Sequence, residues 1–275
     1  MEPSCWRGSL SWERSNIMKS RALYNRFLSL SATALALWTF WLPAEAEARC
    51  LDVALVLAID GSSSVDGAEY QLQKHGIAEA LRDPQVIAAM RQAGDVAVSV
   101  IFWGDAGQPH QKIDWFRVAD SKDGDRLAQR IERMHRNVKG STGLGTGLVA
   151  ALDMIAEADF CANRAIINVS GDGSETVYRR QTRHLPKPED ARARAEEAGV
   201  TINALAISNQ EGGLKDYFAS QVVTGPGAFV MEVKNYESFA EAMRRKLIRE
   251  ITPMAVSGLR LPVAWSDPPR APDRP

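Results

Sequence analysis

Apolar residues run almost unbroken from Leu51 to Ile59, interrupted only by Asp52, and again from Val96 to Trp103. Runs this long without a polar alternate do not suit a strand with one wet face. They predict central strands of a parallel sheet, covered on both sides. Ala165 to Val169, Val200 to Ile207 and Ala228 to Val233 predict further strands, while Lys112 to Val118 alternates less cleanly and predicts an edge strand. Between these runs the apolar spacing turns helical. Leu144, Leu148, Ala151, Leu152 and Ile155 recur at i, i+4, i+7, i+8 and i+11, the strongest such signal in the chain. Helices are also expected from about Val65 to Leu81, around Leu127, Ile131 and Met134, from Ala191 to Ala198 ahead of Gly199, from Leu214 to Val222, and along Phe239, Met243 and Leu247. Strands alternating with helices predict an α/β fold: a doubly wound, mostly parallel six-stranded sheet with helices on both faces and one antiparallel edge strand.

The two ends follow other patterns. Lys19, Arg21 and Arg26 precede an apolar run from Phe27 to Leu42, which is followed by Ala44-Glu45-Ala46-Glu47-Ala48. Basic, apolar and Ala-x-Ala segments in that order predict a cleaved export signal over residues 1–48. Met18 stands just ahead of the pattern, so residues 1–17 read as a start-site artefact. Residues 50–252 are expected to form one domain. The proline-rich stretch 253–275 is too short and polar for a core and is expected to be disordered. Export places the mature chain in the periplasm or outside the cell, with no transmembrane segment after cleavage.

Composition narrows the function classes. Hydrophobic residues at 45% and charged residues at 24% describe an ordinary globular chain. A formal net charge of −1 supplies no field that would draw nucleic acid, and no nucleic-acid partner is expected. The four histidines, His75, His110, His135 and His184, show no metal-ligand spacing.

Oxygen donors, by contrast, collect at predicted strand ends. The first strand closes with Asp60-Gly61-Ser62-Ser63-Ser64, the fourth with Ser170-Gly171-Asp172-Gly173, and Gly140-Ser141-Thr142-Gly143 opens the best helix. In open parallel sheets ligands bind beyond the carboxyl ends of the strands. Two carboxylates and three hydroxyls there suit a hard divalent cation. Asp60, Ser62 and Ser64 form an Asp-x-Ser-x-Ser motif. With Thr142 and Asp172 in the same order, residues 50 to 252 resemble the von Willebrand factor type A superfamily and its metal-ion-dependent adhesion site. The resemblance is greatest to an uncharacterised bacterial branch, and it departs at Gly171, where many relatives carry Thr directly before the Asp.

The resemblance implies a binding module, not an enzyme. Asp60, Ser62, Ser64, Thr142 and Asp172 would hold Mg²⁺, or Mn²⁺ or Ca²⁺, and a partner protein's Asp or Glu carboxylate would complete the coordination. Arg179, Arg180 and Arg183 follow Asp172 closely and are read as a basic collar for that acidic partner. One alternative is a metal-dependent hydrolase, for which Glu69, Asp105 and Glu175 are the nearby candidate bases; another is a purely structural metal. Gly140 to Thr146 has no lysine before Thr146, as a phosphate-binding loop would require. The glycines are expected instead to let the backbone approach a metal. Finally, Cys50 and Cys161 precede the first and fourth strands. In a sheet ordered 3-2-1-4-5-6 these are parallel neighbours, which predicts a disulfide at the edge opposite the metal.

Overall fold

The computed structural model describes residues 50–176 and 185–252. Six strands form one sheet in the order β3-β2-β1-β4-β5-β6. They are β1 (Leu51–Asp60), β2 (Val96–Trp103), β3 (Gln111–Arg117), β4 (Ala162–Gly171), β5 (Thr201–Ile207) and β6 (Val230–Val233). All neighbours pair in parallel except β3, which runs antiparallel beside β2 at the edge. The helices are α1 (Gly67–Arg82), α2 (Pro84–Ala93), α3 (Ser121–Arg133), α4 (Leu144–Ala156), α5 (Pro188–Glu197), α6 (Leu214–Gln221) and α7 (Phe239–Ile251). The predicted fold class and strand order hold. Among the described residues no helix is long and apolar enough to cross a membrane.

Strand β1 explains the double winding. Its side chains alternate between the two faces, and both faces are dry. Leu55, Leu57 and Ile59 join a core with α1, α2, α3 and α7, while Val56 and Ala58 join a second core with α4, α5 and α6. Helix α2 is absent from the apolar pattern read above. Asp83 starts it, its carboxylate accepting the N–H groups of Gln85 and Val86, with Pro84 in the first turn. Proline there loses no hydrogen bond, so a second helix begins two residues after the first ends.

At the amino-terminal edge of the sheet Cys50 and Cys161 form a disulfide, with a Cα separation of 4.6 Å. Leu51 pairs with Ala162, and its N–H donates to the Cys161 carbonyl at 2.8 Å. The predicted pairing follows from β1 and β4 being parallel neighbours.

A polar knot lies beneath α7. Lys246 and Glu250 are fully buried and bridge at 2.6 Å. Asn168 Nδ2 donates to the second Glu250 oxygen at 2.7 Å, and Lys246 Nζ donates to the Asn203 carbonyl at 3.1 Å. Burial pulls Lys246 down to about 8 and pushes Glu250 up. The pair ties α7 to β4 and β5, one helical turn apart on a face that would read as wet.

Candidate functional site

The site grows from the carboxyl end of β1. Asp60 is the last residue of that strand and is fully buried. Its Oδ1 accepts the Ser62 N–H at 2.8 Å, and its carbonyl accepts Gln73 Nε2 at 3.0 Å. The chain then turns sharply. Ser62 Oγ lies 2.9 Å from Ser64 Oγ, and Ser64 Oγ donates to Asp172 Oδ1 at 2.6 Å. Four of the five candidate residues thus form one hydrogen-bonded chain across the ends of β1 and β4. Thr142 is also buried. Its hydroxyl lies 3.7 Å from where a Cβ on Gly173 would stand, and Glu211 Oε2 lies 3.7 Å from the same point.

Asp60 Oδ2 and Asp172 Oδ2 are buried with no hydrogen-bond partner. Burial and then the neighbouring charge of Asp172 push Asp60 up to about 7, and burial pushes Asp172 up against the pull of the Ser64 hydroxyl. Two like-charged groups in a dry site strain against each other unless a proton or a cation lies between them. Gly171 bears on the same point. A Cβ there would stand 3.0 Å from Asp60 Oδ2, so the residue that departs from the resembled motif keeps space open beside this oxygen. The Tyr236 hydroxyl is buried beside Asp172, whose carboxyl it helps to pull down. Burial pushes this hydroxyl up, as do the charges of Asp172 and Asp60. The donor set fits a divalent cation. Among the described residues no group of three His, Cys, Asp or Glu side chains has the arrangement of a metal site, so the candidate donors are the two carboxylates and the hydroxyls, with the charge of Glu211 also acting on Asp172.

The glycines before α4 also allow two loops to approach closely. A Cβ on Gly143 would stand 2.6 Å from both Ala106 N and the Gly104 carbonyl, and Gly140 has φ +94° against the Asp105 side chain. They let the loop carrying Thr142 lie flat on the loop after β2.

The three candidate bases each have another role. Glu69 closes a capping box with Asp66 and accepts Asn209 Nδ2 at 2.9 Å. Asp105 accepts the Ser141 hydroxyl at 2.9 Å and the Gly107 N–H at 2.8 Å. Glu175 Oε2 accepts the Gly145 N–H at 2.8 Å, so it caps α4, which has no side-chain cap of its own. Burial pushes Glu175 up to about 7. Raised above its ordinary 4.5, it stabilises the fold fully only below that value, and the contribution is lost as pH rises towards 7. The expected result is that Glu175→Gln matches wild-type melting at pH 5 and exceeds it at pH 8. A pH-independent difference between the two melts would contradict this.

Sequence reading missed Arg136. Its guanidinium donates to the carbonyls of Gly61 at 3.0 Å, Ser62 at 2.7 Å and Val65 at 2.8 Å, all in the turn that carries Ser62 and Ser64. An arginine in a polar connection gives no sequence signal of this kind. Arg179, Arg180 and Arg183 lie outside the described residues.

Solved structures with this arrangement of strands and helices are distant in sequence. The pilus adhesin SpaC from Lactobacillus rhamnosus GG is 12% identical with a TM-score of 0.55, over 74% of this chain and 31% of that one. Proximal thread matrix protein 1 from the mussel byssus, solved with a zinc-occupied MIDAS motif, is 16% identical with a TM-score of 0.53, over 74% and 46%. A von Willebrand factor type A protein from Catenulispora acidiphila is 18% identical with a TM-score of 0.50, over 74% and 43%. The chain therefore spans less than half the length of these structures, and the likeness establishes a von Willebrand factor type A fold. No curated protein matches the sequence. The profile described as "Protein of unknown function (DUF1194)" matches residues 49–255, and the chain belongs to that family, as a member with a von Willebrand factor type A fold.

Proposed function

We propose that the domain is an extracytoplasmic, adhesion-type binding module that holds a divalent cation between Asp60 and Asp172 and recognises an acidic group on a partner protein. The observation that carries this reading is the pair of buried carboxylate oxygens without partners, at the ends of neighbouring strands, with the Ser62 and Ser64 hydroxyls strung between the two side chains. Asp60, Ser62, Ser64, Thr142 and Asp172 would hold the ion. A bound Mg²⁺ or Mn²⁺ supplies an oxygen-seeking centre that two carboxylates leave unsaturated, with room for a third. Binding is favoured over hydrolysis because the carboxylates of Glu69, Asp105 and Glu175 each accept hydrogen bonds that organise local structure, in a capping box, a loop and the start of α4. A pilus adhesin and a byssal matrix protein with a metal-occupied motif share the fold, which supports the same reading. So does the disulfide, since such bonds persist in oxidising compartments. Residues 1–48 would be the export signal, and Arg179, Arg180 and Arg183 a collar that speeds encounter with acidic partners.

The test is capture from extracytoplasmic extract on immobilised mature protein. Partner retention is expected in Mg²⁺ and release on adding chelator. Charge reversal of the three arginines to Glu should slow association at low salt, with the effect shrinking as salt rises. The exported protein should begin between Ala46 and Cys50 by mass spectrometry. Retention that ignores chelator would contradict metal-dependent recognition.

A further inference from the structure

We infer that Arg136 is the positioning residue of this metal site: one guanidinium sets the Gly61–Asp66 turn so that the Ser62 and Ser64 hydroxyls face Asp172. This rests on the metal-binding reading above and adds a residue outside the five-residue motif.

The turn after β1 must perform two tasks at once. Its hydroxyls have to point towards Asp172, which forces several of its carbonyls to the other side. There the carbonyls of Gly61, Ser62 and Val65 converge, and three convergent oxygens repel one another unless a donor stands among them. Arg136 Nη2 shares its two N–H groups among all three, Nη1 donates to the Asp66 carbonyl at 3.3 Å, and Nε to the Val138 carbonyl at 3.1 Å. The group also lies over the Tyr70 ring, 4.9 Å from its centroid. The planar fork reaches the Asp66 and Val138 carbonyls at the same time, through Nη1 and Nε, which a single ammonium nitrogen placed among the other three would not.

The same connection between α3 and α4 completes the arrangement. Ser63 N–H donates to the Gly140 carbonyl at 2.8 Å, and Gly140 N–H donates back to Ser63 Oγ at 2.8 Å. Two residues on lies Thr142. One segment, 136–142, therefore holds the serine turn through Arg136 and Gly140 and presents the motif threonine itself. Arg136 also lines an open cleft of about 610 Å³ beside Ser63 and Lys139, so a small solute can reach the guanidinium's place.

The experiment measures Mn²⁺ affinity by calorimetry for wild type, Arg136→Lys and Arg136→Ala, with unfolding followed separately in chelator. Groups that orient metal ligands typically contribute 10- to 100-fold in affinity, and a loss of about that size is expected in both variants. Methylguanidinium at millimolar concentration should restore most of the loss in Arg136→Ala and none in Arg136→Lys, where the side chain still fills the cleft. If Arg136→Ala does not fold, Arg136→Lys carries the affinity measurement alone. Wild-type Mn²⁺ binding with unchanged affinity in the variants would overturn this inference and leave the metal reading intact. An affinity loss that methylguanidinium fails to repair would assign Arg136 a general structural role and also overturn it. Absence of Mn²⁺ binding by wild type would overturn the metal reading itself.

Discussion

Asp60→Asn and Asp172→Asn are each expected to abolish measurable Mg²⁺ or Mn²⁺ binding, while the metal-free domain keeps or gains stability. The two effects have opposite signs for one physical reason. Asp60 is fully buried and pushed up to about 7 by burial and by Asp172, so its charge is a burden on the empty fold. Asparagine keeps the shape and can still accept the Ser62 N–H that Asp60 Oδ1 accepts. It removes only the charge, which is what a cation requires. Unit charges 4 Å apart attract by about 4 kcal/mol at an effective dielectric near 20, so losing one of two charged ligands should weaken binding by roughly a thousandfold. Thr142→Ala, which removes a neutral donor, should weaken it less. Calorimetric titration gives the affinities, and denaturant unfolding in chelator gives the stabilities. Unchanged affinity in both aspartate variants would remove the basis for a metal at this site.

The second large effect is expected at the far edge of the sheet. Replacing Cys50 and Cys161 together with serine should lower stability by up to roughly 4–5 kcal/mol, because the bond closes a sequence separation of 111 residues. In the chain-entropy view the loss arises in the unfolded state, which regains the freedom that the crosslink removed. Metal affinity should be unaffected, since the bond sits at the amino ends of β1 and β4 and the candidate site at their carboxyl ends. The double variant leaves no lone thiol to form adventitious bonds. Urea unfolding with the same midpoint as the oxidised wild type would show that the crosslink contributes nothing.

Much of the fold was legible because a parallel sheet buried on both faces leaves a strong mark. Val96 to Trp103 was readable to the residue, and the Leu144 to Ile155 spacing located α4 to within one residue. Helix α2 was not: the reading ended a helix at Leu81, and the ten residues from Pro84 to Ala93 are too few to show a helical period clearly. The five motif residues could be named as a set because their order and strand-end positions are sequence properties. Their contacts were not readable: the Ser64 to Asp172 hydrogen bond spans 108 residues.

By itself, then, the sequence determined the strands, every α-helix but α2, the strand order and the oxygen donors, since hydrophobic period and chain direction dictate which strand ends share an edge. Even the Cys50–Cys161 pairing belongs here, because it follows from β1 and β4 being neighbours. Tertiary structure alone decided what each remaining polar residue does. Glu175 became a cap for α4, Lys246 and Glu250 a buried bridge, and Arg136 the holder of the serine turn. These roles depend on a donor and an acceptor from distant segments arriving within about 3 Å of each other, at the geometry a hydrogen bond requires. Local pattern carries no record of that distance, whereas burial does, because a polar group taken out of water must find its partner wherever the fold places one.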